Sequence, residues 1–288
     1  MAQGFCIWIV TPPGYLHSRC FEEVALGLQE AFAALGYTAP IVTDAAQITG
    51  LPVVLGANLL PQLRPEASQR KMILYNLEQI QKHDSPWLGS PYIDLLRRHP
   101  VWDYSERNIK GLKELGVTDI TLCGIGYMPG LTRIPSALQD IDVLFVGSTN
   151  DRRLAVLNDL AARGVKVSAA YNCYGEQRDA LIARAKIVLN VHFYEAQVFE
   201  IVRVSYLLAN RVCVVSESGF DETLESPLKD GVAFGPYAAL TAICQHMLAH
   251  EDQRLAVAKN GFDKFSAISQ VAMLERALKL TAPGAPIG

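Results

Sequence analysis

The chain carries no run of lysines or arginines and no excess of positive charge. Its 26 Lys+Arg stand against 29 Asp+Glu, a net charge of −3 over 288 residues. A nucleic-acid duplex or an acidic membrane as main partner needs a basic footprint, so both are disfavoured, while a local basic pocket for a small anion stays open. No apolar run approaches a membrane span. The six cysteines (Cys6, Cys20, Cys123, Cys173, Cys213 and Cys244) include no CxxC pair. They read as reduced core thiols of a cytoplasmic protein. No Cys/His cluster has zinc-ligand spacing, and His192 with Glu195 does not form a helical zinc motif, so no metal site is expected. There is no P-loop and no Gly-x-Ser-x-Gly elbow. The first apolar run, Phe5–Val10, lacks a basic flank and ends at Pro12-Pro13-Gly14, so it reads as a strand and not as a signal-peptide core. The Pro/Gly/Ala-rich stretch from Thr281 to Gly288 is expected to fray.

What remains is ordinary globular composition, half apolar and 19% charged. Short apolar runs alternate with helical patterns. After the first strand, Phe21, Val24, Ala25, Leu28, Ala31, Phe32 and Leu35 repeat at helical spacing over Ser18–Leu35, with Gly36 as the stop. Further strands are expected at Ala39–Val42, Pro52–Leu55, Met72–Tyr75, Val101–Tyr104 and Ile120–Cys123, with helices at Pro91–Arg98 and Ser105–Leu115. Such alternation means a parallel sheet with crossover helices.

Gly124–Asp140 breaks the pattern with five Gly and Pro residues and reads as a linker. The alternation then restarts with strands at Asp142–Val146, Val165–Ala170, Lys186–Val191, Val212–Ser216 and Val232–Phe234. Helices are expected at Leu154–Arg163, Glu176–Ala185 and Val198–Ala209, and in three stretches from Tyr237 onward. The expected class is α/β, with two Rossmann-like parallel-sheet domains facing a cleft. Residues 1–130 form the first domain, 141–270 the second, and 271–288 a closing helix and tail. In open α/β sheets ligands bind beyond the carboxyl ends of the strands.

The strongest local signal is Gly147-Ser148-Thr149-Asn150-Asp151-Arg152-Arg153, a strand end running into a helix start. Gly147 permits close backbone approach, and helix N-termini attract anions. Arg152 and Arg153 oppose the helix dipole there, which makes sense if they neutralise a diphosphate. On that reading, truncating either should leave the free protein's stability within about 0.5 kcal/mol, and only one of two adjacent helix positions should reach the site. The competing reading is a capped helix with solvated arginines. The nearly all-apolar helix after Phe199 carries Glu200 and Arg203 at i and i+3, either an intrahelical pair or ligand contacts. Ser216 and Glu217 end the following strand, where Glu217 is either exposed or binds hydroxyls. In the first half, Gly14 with His17, Asn76 with Glu78 and Gln79, and Trp102-Asp103-Tyr104-Ser105 should collect at one sheet edge. Gly124-Ile125-Gly126 with Gly130 misses the dinucleotide spacing and no helix follows, which disfavours an NAD-dependent oxidoreductase. Asp140-Ile141-Asp142 precedes its strand, which favours a linker over a metal pair.

The second half resembles GT-B glycosyltransferases of the retaining family-4 type and their CgeB-like (spore-maturation-protein) relatives. The residues that carry this are Asp142–Ser148 with Arg152-Arg153, Ala185–His192, Phe199-Glu200, Ala209–Glu217 and Lys229–Phe234. The resemblance spans about Asp142–Phe265, and the first half matches in layout only. It implies transfer of a sugar from a nucleotide-sugar donor to an acceptor without an essential metal or other cofactor. Donor contacts are then expected at Gly147, Ser148, Arg152, Arg153, Asn190, Ser216 and Glu217. Glu200, Arg203 and His17 are the catalytic candidates. Gly14, Asn76, Glu78 and Tyr104 fall on the acceptor side. If the reaction inverted configuration, His17 or Glu78 would be the base. The sequence departs from the family-4 pattern at its second glutamate, whose place is taken by Ser205. That departure keeps open a non-catalytic protein that binds a nucleotide sugar or a partner.

Overall fold

The computed structural model describes residues 4–62, 70–80, 89–194 and 197–281. Glu195 and the Pro/Gly/Ala-rich stretch beyond Thr281 lie outside them. The chain divides into two units, Met1–Gly130 with Ser269–Gly288, and Leu131–Ile268.

The first unit contains β1 (Phe5–Ile9), α1 (Glu22–Ala34), β2 (Ile41–Val42), β3 (Leu51–Leu55), β4 (Ile73–Asn76), α2 (Pro91–Leu96), β5 (Val101–Asp103), α3 (Glu106–Glu114) and β6 (Ile120–Leu122). The six strands form one parallel sheet in the order β2-β1-β3-β4-β5-β6. The helix expected from Ser18 opens as a 3-10 turn, Leu16–Phe21, before α1 begins. Gly36 and Gly116 follow α1 and α3 with positive φ, the left-handed stop that a side chain disfavours.

The second unit contains β7 (Ile141–Val146), α4 (Asp151–Ala162), β8 (Val167–Ala170), α5 (Gly175–Arg184), β9 (Ala185–Asn190), α6 (Ile201–Ala209), β10 (Val214–Glu217), α7 (Glu222–Glu225), β11 (Ala233–Gly235), α8 (Leu240–Ala249) and α9 (Glu251–Ser266). Its sheet is also parallel, in the order β11-β10-β9-β7-β8. The apolar strand cores are what a sheet covered on both faces requires: Val143, Leu144, Phe145 and Ile187 are wholly buried. α6 begins at Ile201 and not at Val198, because Gln197 adopts φ +46° and Glu200 stands at the N-cap. Asp140 and Asp142 pair with Arg184 and Lys186 respectively, so both carboxylates serve local ion pairs.

The last helix, α10 (Gln270–Thr281), belongs to the first unit and packs on α1 and β6. Gln270 accepts from the Gly126 amide at 2.7 Å, and the Trp102 indole donates to Thr281 Oγ1 at 2.8 Å. None of the helices among the described residues is long and apolar enough to cross a membrane.

Candidate functional site

In the second sheet β7 is flanked by β8 on one side and β9 on the other, so chain order reverses at β7/β9. The carboxyl ends of β7, β9 and β10 carry a dense polar cluster. At the end of β7, Gly147 takes φ +135°, and a methyl group added there would come within 3.2 Å of the Arg203 guanidinium. The bare backbone at Gly147 is therefore the floor on which Arg203 rests. Ser148 is exposed beyond it. Asn150 caps α4, its side chain accepting from the Arg153 amide at 3.0 Å.

Arg152 and Arg153 differ from the expectation of two groups reserved for an anion. Arg152 makes a two-point pair with Glu217, Nη1 donating to Oε2 at 2.5 Å and Nη2 to Oε1. It also lies over the Tyr237 ring, 4.0 Å from the centroid, and Tyr237 donates its hydroxyl to the Arg152 carbonyl. Arg153 is 2% exposed and donates to the carbonyls of Val191 at 2.8 Å and Ser148 at 2.7 Å. Burial, then the neighbouring Arg203 charge, pulls its pKa down to about 10, so it stays protonated at neutral pH. Both adjacent arginines thus reach the end of β9. They diverge from the helix start, one to a carboxylate and one to backbone carbonyls. Their removal cannot be neutral for stability, because each leaves buried acceptors unpaired. Glu217 is neither exposed nor free. It is 2% exposed and also accepts from the His192 amide at 3.1 Å.

Glu200 sits at the centre of the cluster. Its Oε2 accepts from Asn190 Nδ2 and lies against His192 Nδ1, both at 2.9 Å. Asn190 also donates to Ser216 Oγ at 3.0 Å across the β9–β10 register that pairs the two residues. Oε1 is buried and has no hydrogen-bond partner among the described residues, with the Arg153 guanidinium 3.9 Å away. Burial pushes the Glu200 carboxyl up, but the close contact and charge of His192, the Arg203 charge and the Asn190 bond outweigh it and hold it at about 2. Arg203 makes one long hydrogen bond, to Asn190 Oδ1 at 3.4 Å. Among the described residues no carboxylate pairs with it within 4.0 Å. The cluster therefore offers a guanidinium without a close counter-ion and a carboxylate oxygen without a donor.

In the first unit, the carboxyl ends of β4 and β5 hold a second network. Asn76 donates to Asp103 Oδ2 at 2.6 Å and to the Glu78 carbonyl at 3.0 Å. It accepts from the Tyr92 hydroxyl at 2.7 Å and from the Glu78 amide at 3.2 Å. All its donors and acceptors are used internally, so Asn76 orders this edge and does not present itself to a ligand. Tyr104 is buried. The Glu78 carboxylate accepts from Asn58 at 3.0 Å, and burial pushes its pKa up to about 7. Burial does the same to Asp103, more than its hydrogen bonds with Asn76, Ser105 and Asn108 lower it, leaving it at about 7. Gly14 and His17 are exposed after β1, with the His17 ring edge-on to Tyr15.

Sequence reading missed His192, Glu225, Tyr237 and Asn58 as members of these networks. For His192 and Asn58 the available signal was position, just beyond a strand's carboxyl end. Glu225 and Tyr237 stand after the loops that follow β10 and β11.

No known protein-family model matches the chain. Two uncharacterized proteins of Acanthamoeba polyphaga mimivirus are similar to it. The first is 32% identical over 203 residues, covering 67% of this chain and 22% of that protein. The second is 25% identical over 211 residues, covering 72% of each. The chain thus spans about a fifth of the first relative's length. Among solved structures it is similar to Anabaena HepE in complex with UDP and glucose, at TM-score 0.65 and 12% identity, covering 98% of this chain and 100% of that one. It is also similar to WaaG, a glycosyltransferase involved in lipopolysaccharide biosynthesis, at TM-score 0.57 and 13% identity over 98% and 100%. A third is AviGT4, a glycosyltransferase involved in avilamycin A biosynthesis, at TM-score 0.59 and 13% identity over 98% and 99%. The fold, two parallel-sheet α/β units, is that of the GT-B glycosyltransferases.

Proposed function

We propose that the chain is a glycosyltransferase that moves a sugar from a nucleotide-sugar donor, of the family-4/CgeB-like type, retaining, metal-independent and cytoplasmic. The observation that carries this is the juxtaposition, at the β7/β9 crossover, of an Arg203 guanidinium without a close counter-ion and a Glu200 Oε1 without a donor. A diphosphate satisfies the first and a sugar hydroxyl the second; a buried acceptor left unpaired in the free protein calls for such a partner. The departing nucleoside diphosphate is stabilised by Arg203, the Gly147–Ser148 backbone and the free N–H groups at the start of α4. Arg152 and Arg153 contribute to the positive field while holding the site's frame. That cationic frame supports departure without a metal. Glu217 keeps acceptor capacity beyond its Arg152 and His192 bonds and is the ribose candidate. Similarity to HepE in complex with UDP-glucose supports a nucleotide-sugar ligand. Glu78, His17 and Gly14, at the carboxyl edge of the first unit's sheet, are assigned to the acceptor.

A second reading, nucleotide-sugar binding without turnover, draws on Ser205. It is buried and, among the described residues, its hydroxyl makes only a 3.4 Å contact with the Val202 carbonyl, where the family-4 pattern has a glutamate. A thermal-shift screen over nucleoside diphosphates and nucleotide sugars tests the shared premise. Stabilisation by one nucleotide series, with slow hydrolysis of its sugar conjugate, supports the enzyme. Stabilisation without hydrolysis or transfer supports the second reading, and no response to any nucleotide contradicts both.

A further inference from the structure

His192 is 1% exposed and lies two residues beyond Asn190, the last residue of β9. Its Nδ1 lies 2.9 Å from Glu200 Oε2. Both ring nitrogens are buried and neither has a hydrogen-bond partner among the described residues, so the Nδ1–Oε2 approach is an ion-pair contact. Gly219 explains how the ring fits. A methyl group on Gly219 would stand 2.2 Å from the Gln197 carbonyl and 3.0 Å from both His192 Nε2 and Glu225 Oε1, so the missing side chain makes room for all three. The Glu225 carboxylate is itself fixed by the Gly219 amide at 2.6 Å. The imidazole therefore stands between two carboxylates, Glu200 on one side and Glu225 on the other.

We propose that His192 is a positioning residue for Glu200, its Nδ1 holding Oε2 by the ion-pair contact so that Oε1 is left turned toward the donor sugar. The sugar half of this statement rests on the donor-site reading above; the positioning half does not. A carboxylate with one buried oxygen anchored by Asn190 and an imidazole cannot rotate to satisfy the other, so its vacancy is held open for a ligand hydroxyl.

The charges around the ring fix how it titrates. Glu200 faces it from the N-cap of α6 and Glu225 from α7. Glu217, at the end of β10, accepts from its backbone amide, while Arg152, from α4, donates to its carbonyl at 3.3 Å. Arg153 and Arg203 stand behind Glu200. Burial lowers the imidazole pKa, but the close Glu200 contact and the charges of the three carboxylates outweigh it, so the net shift is upward.

Two measurements test the proposal. In the first, the His192 ring signals are titrated by NMR in the parent and in Glu200→Gln and Glu225→Gln. The expected result is a parent pKa above the ordinary imidazole value that drops by about one unit or more in Glu200→Gln and by less in Glu225→Gln. A His192 titration unmoved by Glu200→Gln overturns the positioning role. In the second, calorimetry compares UDP with UDP-glucose on the parent, His192→Leu and His192→Asn, whose amide can stand in for Nδ1–H. His192→Leu should bind UDP within about twofold of the parent yet lose about tenfold or more for UDP-glucose relative to UDP, with His192→Asn restoring most of it. Equal losses for both probes, with no rescue, mean that His192 is only structural and overturn the proposal. A parent that binds neither probe sinks the sugar-side half, and the titration alone then decides whether His192 holds Glu200.

Discussion

Arg152 and Glu217, 65 residues apart in sequence, form a two-point ion pair at the carboxyl end of β10, with the guanidinium stacked over Tyr237. The carboxylate is almost wholly buried while the arginine is about one-third exposed. Removing the arginine therefore strands a buried charge, whereas removing the carboxylate leaves a cation that reaches solvent.

From that asymmetry, Arg152→Ala should destabilise the protein by about 2–4 kcal/mol, and Glu217→Gln by clearly less, because a neutral amide needs no counter-ion. Urea unfolding of both variants and of the double variant isolates the pair's coupling. An Arg152→Ala protein within about 0.5 kcal/mol of the parent would mean that the pair does not form in solution.

Arg153 and Arg203 should separate stability from binding. Arg153 is buried on two backbone carbonyls, so Arg153→Met should lower the melting temperature by several degrees, about 1–3 kcal/mol of lost stability. Arg203 makes one long bond, so Arg203→Met should melt close to the parent. Thermal unfolding of the two variants side by side checks this, and a reversed order of melting temperatures contradicts it.

Glu78 supplies a pH signature in the first unit. Its folded pKa, about 7, lies above the carboxyl's unfolded value near 4.5. For an acid raised in this direction the folded state prefers the proton. Stability is fully retained below the unfolded pKa, falls as pH rises through the interval, and has lost the whole contribution above about 7. Glu78→Gln keeps an oxygen for Asn58 and removes the titration. The variant should match the parent near pH 4 and exceed it by about 1–2 kcal/mol at pH 8. Urea titrations at the two pH values measure it; a variant less stable than the parent at pH 8 argues that the carboxylate is stabilised there, not strained.

Any glycosyl transfer or donor hydrolysis should survive EDTA. On the proposed function, the cationic frame of Arg152, Arg153 and Arg203 takes the place of a metal at the leaving diphosphate. Loss of activity in EDTA with recovery on adding manganese would transfer that role to a divalent ion.

The fold was largely legible in the sequence, because both sheets are built from continuous apolar strands whose periodicity is local. Phe5–Val10 and Asp142–Val146 need no partner to be recognised. The ends of elements were less so. The apolar pattern makes Val198 and Phe199 look helical, yet the left-handed turn at Gln197 and the engagement of Glu200 with Asn190 and His192 delay the helix to Ile201. The site was misread where the partner is distant. Two arginines in a first helical turn look unfavourable until Glu217 and the carbonyls of Val191 and Ser148 are seen beside them. That compensation is tertiary and leaves no trace in the spacing of residues 147–153. His192 was weighed only as a metal ligand and dismissed, since its meaning depends on carboxylates 8 and 33 positions away, Glu200 and Glu225.

The most direct test of the central claim is calorimetric titration of the parent and Arg203→Met with UDP and the other common nucleoside diphosphates. The account predicts that one nucleoside diphosphate binds the parent and that Arg203→Met weakens it about tenfold or more, equivalent to about 1.4 kcal/mol or more, while melting like the parent. Binding of that nucleotide with the same affinity by parent and variant, or no binding of any nucleoside diphosphate by the parent, would contradict it.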